Sequence, residues 1–169
     1  MLTGSLQLGT RSPQTTITAT VAVLDGGKSM PIEDLARSDV VTAESNTSAT
    51  DLAVLMDDED VGSVVITDGK TPQGIVTDRD LTVSVLAEGT DPDEISAGDV
   101  MSADPTTVKR DAGFYRATEL MAQHGIRRLP VCDADDQLVG IITVDDLNEL
   151  LADEHGELAS VIRAQRPPY

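Results

Sequence analysis

The sequence predicts an α+β fold, α/β-like in its alternation, built from two copies of one β-α-β-β-α unit that pair their apolar sheet faces about a pseudo-twofold axis. Three observations predict it. The heptapeptide GIVTDRD (74–80) returns 66 positions later as GIITVDD (140–146). Shifting the chain by 65 positions lays Val41-Thr42 over Thr106-Thr107, Leu55-Met56 over Leu120-Met121, and VGSVVITD (61–68) over IRRLPVCD (126–133). Strand-like and helical apolar spacings then alternate in the same order in both copies.

The elements follow in chain order. Residues 1–29 have no counterpart in the repeat. TTITATVAVL (15–24) alternates like a strand, and three readings stay open: an extra strand, a disordered arm, or sequence upstream of a start at Met30. Repeat 1 occupies 30–88. It opens with an extended piece at Val40–Thr42, and a helix over about Thr50–Asp58 follows with Ser48 as its N-cap. An apolar strand, Ser63–Thr67, leads through the turn DGKTPQ to a second strand ending at Thr77. The closing helix is DRDLTVSVLAE. An acidic, turn-rich linker covers 89–95. Repeat 2, at 96–152, has the extended piece Thr106–Val108 and a helix over Ala112–His124 capped by Asp111. Its strand Arg128–Cys132, turn DADDQ, strand ending at Thr143 and helix VDDLNELLADE complete the copy. In the Ala112–His124 helix, Ala117, Leu120, Met121 and His124 share one face. The tail, 153–169, reads as a short helix and then a disordered end.

A unit of this size buries little surface alone, so the two must cover each other. Aromatic residues make up 2% of the chain and hydrophobic residues 40%, so the core is aliphatic. Acidic residues number 30 against 12 basic ones, giving a net charge of −18. That field repels nucleic acid and anionic membrane surfaces. Abundant Asp and only three Lys (Lys28, Lys70, Lys109) point to adaptation to high salt rather than to a generally acidic surface. The single cysteine, Cys132, excludes an intrachain disulfide and reads as a small buried hydrophobe. No apolar run reaches the length of a membrane span and no secretory signal is legible, so a soluble cytoplasmic protein is expected.

The heptapeptide places a Thr at the C-terminal end of a strand and an Asp in the first turn of the next helix. Strand ends feeding helix N-termini are where α/β folds bind ligands. The helix start favours a phosphate, a carboxylate accepts from a ribose diol, and a hydroxyl serves either group. The same residues also spell a capping box, with Thr77 or Thr143 as N-cap and Asp80 or Asp146 at N3. Both roles are compatible.

With these residues in view, the repeat resembles a pair of CBS domains, the tandem arrangement called a Bateman module. The resemblance covers about residues 30–152. It rests on VGSVVITD…GIVTDRDL in one copy and on VMSADPTTV, LMAQHGIRRLPVCD and LVGIITVDDL in the other. It implies one globule with two clefts, each binding an adenosine-containing ligand such as AMP, ADP, ATP or S-adenosylmethionine. It also implies modules that dimerise into a disc. Carried over, Thr77 with Asp80, and Thr143 with Asp146, contact phosphate and ribose. Val41-Thr42 with Gly62-Ser63, and Thr106-Thr107 with Ile126–Leu129, hold adenine.

The two clefts are not expected to be equivalent. Arg79 precedes the heptapeptide Asp in the first copy and Asp145 in the second. A guanidinium is a good phosphate partner and a carboxylate repels one. The site around Thr77, Arg79 and Asp80 is therefore expected to prefer phosphorylated ligands, and the site around Thr143 and Asp146 to bind nucleotides weakly, to bind something uncharged or cationic, or to stay empty. Arg127 and Arg128, equivalent to Gly62 and Ser63, are either surface ion-pair partners or phosphate contacts near the centre of the globule. The acidic clusters DDED (57–60) and DADD (133–136) lack the pattern of a calcium loop. With no nucleophile beside a base and no metal cluster, the expectation is a regulatory module and not an enzyme. It would need no catalytic cofactor, act as a homodimer, and signal to a partner protein the sequence does not name. The rival readings are a ligand-free interaction module and a nucleotide-turning-over enzyme.

Overall fold

Short continuous apolar runs form the central strands of the two sheets in the computed structural model, which describes residues 30–165. In the first repeat β1 (Thr42–Ala43) runs parallel to β2 (Ser63–Asp68), which pairs antiparallel with β3 (Thr71–Thr77). The second repeat has β5 (Val108–Lys109), β6 (Arg128–Cys132) and β7 (Leu138–Thr143) in the same relation. Each antiparallel pair carries one irregularity, between Ile66 and Thr67 and between Val131 and Cys132, at positions equivalent under the repeat.

The helices obey local signals. Ser48 accepts the Asp51 amide at the start of α1 (Ala49–Asp58). Gly125, with φ of 64°, ends α4 (Phe114–His124) in the left-handed conformation that lacks a steric penalty only for glycine. Three expectations need correction here. The N-cap of α4 is Gly113 and not Asp111, because Asp111 sits in a turn closed by Ala112 N–H to Lys109 O, and this turn is pinned to 31–33 through Ile32 N–H to Ala112 O and Glu33 N–H to Arg110 O. The helix closing repeat 2, α5 (Val144–Ala164), runs well past residue 152, and its Gly156 meets nothing within 4 Å. Its counterpart is a short turn, α2 (Asp78–Asp80), that widens into a π-helical turn at Leu81–Leu86. The extended pieces also lie about two residues later than the composition indicates. Residues 1–29 and 166–169, which include the possible strand at 15–24, lie outside the described residues.

Packing yields two aliphatic cores. Leu52, Met56, Val64, Ile66 and Val76 form one; Ala117, Leu120, Met121, Leu129, Val131, Ile142 and Leu147 form most of the other. Each is completed from the opposite half of the chain. Ile32, fully buried, belongs to the second core, and Ala97, in α3 (Ala97–Val100), belongs to the first. Backbone pairing repeats this exchange. Pro31 bridges Gly113 as Ser96 bridges Ser48. Arg37 bridges Ile141 as Ser102, in β4 (Ser102–Ala103), pairs with Ile75. Val65 and Pro130 point away from these cores and are still buried, so both faces of each sheet are covered. The result is a mixed α+β globule of two β-α-β-β-α repeats related by a pseudo-twofold axis.

The heptapeptide glycines are explained by this exchange and not by their φ angles. A Cβ on Gly74 would run into the Met101 side chain, its Cβ included, and one on Gly140 would sit 2.9 Å from the Arg37 carbonyl oxygen. Only glycine lets the exchanged segment lie against the strand.

Candidate functional site

Thr77 and Thr143 have the same backbone, with φ near −116° and ψ of 163°. Each amide and each hydroxyl donates to Oδ2 of the Asp three residues on. For Thr143 and Asp146 the distances are 2.8 and 2.6 Å; for Thr77 and Asp80 they are 2.8 and 2.7 Å. The Asp amides donate back to the hydroxyls at 3.2 and 3.3 Å. The capping boxes are therefore formed in both copies.

The copies differ at the second carboxylate oxygen. Asp146 Oδ1 accepts from Arg37 Nε at 3.1 Å and from its terminal nitrogen at 3.0 Å. Burial pushes the Asp146 carboxyl up, but the Thr143 hydroxyl and amide and the Arg37 guanidinium outweigh it and hold it below the ordinary carboxylate range. Arg79 is exposed and forms no ion pair among the described residues.

Between the repeats lies a cleft of about 750 Å³, within the range that holds a small ligand. One wall is Val40, Val41, Thr42, Val61, Gly62 and Ser63 of repeat 1. The other brings Ile141, Thr143 and Asp145 from repeat 2, and Arg37 and Arg128 belong to the same lining. The structure thus joins the Val41-Thr42 and Gly62-Ser63 pieces to the heptapeptide of the other repeat. Gly62 leaves room for Arg128, whose terminal nitrogen would lie 3.3 Å from a Cβ there. Asp39, Glu59, Asp60 and Asp145 add four carboxylates to the lining. Arg127 reaches Asp145 at 3.5 Å in a largely exposed pair that contributes little to stability.

The remaining sequence candidates fall elsewhere. Thr106 and Thr107 are half-buried just before β5. Ile126 and Arg127 line an apolar groove of about 440 Å³ between α4 and α5, with Phe114, Met121, Val144, Leu147 and Leu151. Among the described residues no three His, Cys, Asp or Glu side chains gather as a metal site. Sequence reasoning missed Arg37. Its signal was the shift of 65, which lays Arg37 over Ser102, a difference as sharp as that between Arg79 and Asp145.

The duplicated architecture is matched by known proteins. A family model for the CBS domain matches residues 32–86 and again 97–153. The chain belongs to the CBS-domain family. As a CBS pair it is 40% identical to an uncharacterized protein of Methanopyrus kandleri over 71% of this chain and 62% of that one. The chain therefore spans less than two thirds of that relative. It is 33% identical to the CBS domain-containing protein YhcV of Bacillus subtilis, over 69% of this chain and 81% of that one. Among solved structures, a CBS domain protein from Pyrobaculum aerophilum complexed with AMP superposes with a TM-score of 0.64 at 25% identity. That match covers 69% of this chain and 89% of the other. Among the described residues no helix is long and apolar enough to cross a membrane.

Proposed function

We propose that this CBS pair is a regulatory module that binds an adenosine monophosphate in the cleft between its repeats. The observation that carries the reading is the composite cleft: Val40, Val41 and Val61 with Gly62-Ser63 from one repeat share it with Thr143, at a helix start of the other, and with the guanidinium-bearing Arg37 and Arg128. Adenine lies on the apolar wall. Ribose and phosphate face Thr143, Arg37 and Arg128. The AMP complex of the Pyrobaculum protein supports this class of ligand. Two cations suit one phosphate, whereas further phosphates meet Asp39, Glu59, Asp60 or Asp145, so the expected order is AMP over ADP over ATP. This reading moves the phosphate preference from the Thr77, Arg79 and Asp80 site, where the sequence put it, to the Thr143 cleft, because Arg37 and Arg128 line that cleft and Asp145 is paired with Arg127.

Both cleft walls come from different repeats, so a ligand bridging them favours one relative arrangement, which a partner protein reads. The module carries out no reaction in this reading. The groove between α4 and α5, continued by exposed Leu158, Val161 and Ile162, supports a homodimer. Leu158→Glu should then give a monomer by light scattering.

Thermal unfolding in high salt with AMP, ADP, ATP and S-adenosylmethionine tests the binding. At a hundredfold excess over the dissociation constant, a ligand adds about 2.7 kcal/mol. Stabilisation by AMP that Thr143→Ala reduces supports the site. No stabilisation by any of the four removes the reading and leaves a ligand-free interaction module.

A further inference from the structure

Arg37 lines the cleft and Asp146 does not. The Asp146 side chain is only 10% exposed, and its one oxygen outside the capping box already holds the Arg37 guanidinium through two nitrogens. Arg37 itself is 66% exposed. Its backbone is pinned to Ile141 by two hydrogen bonds, of 3.0 and 2.9 Å, so the side chain pivots from a fixed base. A ribose diol seeking Asp146 must therefore compete with Arg37.

We propose that Arg37 decides whether the cleft prefers phosphorylated or unphosphorylated adenosine ligands, by moving from Asp146 to the ligand phosphate as the ribose takes its place. The inference rests on the nucleotide reading of this cleft. An unphosphorylated nucleoside breaks the ion pair and returns nothing to the guanidinium. A monophosphate gives it an anion of equal or greater charge with the bidentate geometry that suits arginine. Arg128, half-buried beside Gly62, also favours a phosphate but among the described residues holds no cleft carboxylate that a ribose would displace, so it adds a constant preference and not the exchange. Ser102, the counterpart of Arg37, has no charge to exchange, so the device belongs to one cleft alone.

The test is calorimetric titration of the full chain with AMP and with adenosine, for wild type, Arg37→Gln and Arg37→Lys. Wild type should favour AMP. Arg37→Gln should weaken AMP at least tenfold and leave adenosine unchanged or tighter, because the competitor for Asp146 is gone. Arg37→Lys should keep part of the preference. Equal weakening of both ligands by Arg37→Gln, or an unchanged AMP-to-adenosine ratio, overturns the inference while the nucleotide reading stands. If wild type binds neither ligand, both fall together.

Discussion

Replacing Gly140 by Ala adds one methyl group where the exchanged segment crosses β7. The new Cβ would lie 2.9 Å from the Arg37 carbonyl oxygen and 3.3 Å from Ala36 Cβ. The first neighbour is backbone and cannot rotate away. Gly140 is not in the left-handed region, so the substitution also restricts the unfolded chain and stabilises by about 0.4–1 kcal/mol. Against this stand about 1–3 kcal/mol of overpacking and a partial loss of the two Arg37–Ile141 hydrogen bonds, each worth about 0.5–1.5 kcal/mol. The net expectation is a loss of about 2–3 kcal/mol. Gly156→Ala is the matched comparison, since that glycine sits in exposed α5 with open space around it. There the same methyl should stabilise by up to about 1 kcal/mol. Urea unfolding followed by circular dichroism reads both. Equal stability of Gly140→Ala and wild type, or destabilisation of the same size by Gly156→Ala, would refute the close-approach account.

Asp146 is held below the ordinary carboxylate range, so its ionised form stabilises the fold above the unfolded-state value, and that contribution disappears as pH falls through the folded value. The stability gap between wild type and Asp146→Asn should therefore be constant at neutral pH and close only in the acid range, as read by urea titrations across pH. Raising KCl from about 0.1 to 1 M shortens the screening length from about 10 to 3 Å, and the −18 charge should make the urea midpoint rise steeply over that range; a flat response argues against salt adaptation. Burial pushes the Cys132 thiol up and leaves it 1% exposed, so labelling by a thiol reagent at neutral pH should track global unfolding, and fast labelling of native protein would contradict the packing.

Local chemistry made much of the fold legible. The strand Arg128–Cys132, the strand ends at Thr77 and Thr143, and the Ser48 cap are set by residues within one turn of each other, and they fall where the sequence places them. The misplaced Asp111 cap is different in kind. Gly113 takes the position because Pro31 pairs with it from 82 residues away, and no local preference records that. The length of α5 was obscured by Gly156, whose helix penalty of about 1 kcal/mol is spread over a helix of 21 residues. At the candidate site, both Thr–Asp pairs were readable as motifs. Arg37 was not, because it lies 109 residues from Asp146 and in a segment whose own repeat it does not serve.

The crosswise completion of the two cores bears on how such a chain can arise and be divided. A half-length version would lack the residue that seals its own interior, Ile32 for one half and Ala97 for the other. It would survive only by borrowing that residue from a second molecule. A gene encoding one unit is thus compatible with a swapped pair of identical chains, and fusing two such genes end to end would preserve every exchanged contact. In a fused chain the two halves can differ at equivalent positions, as Arg37 and Ser102 do, whereas a pair of identical chains would carry the same residue at both.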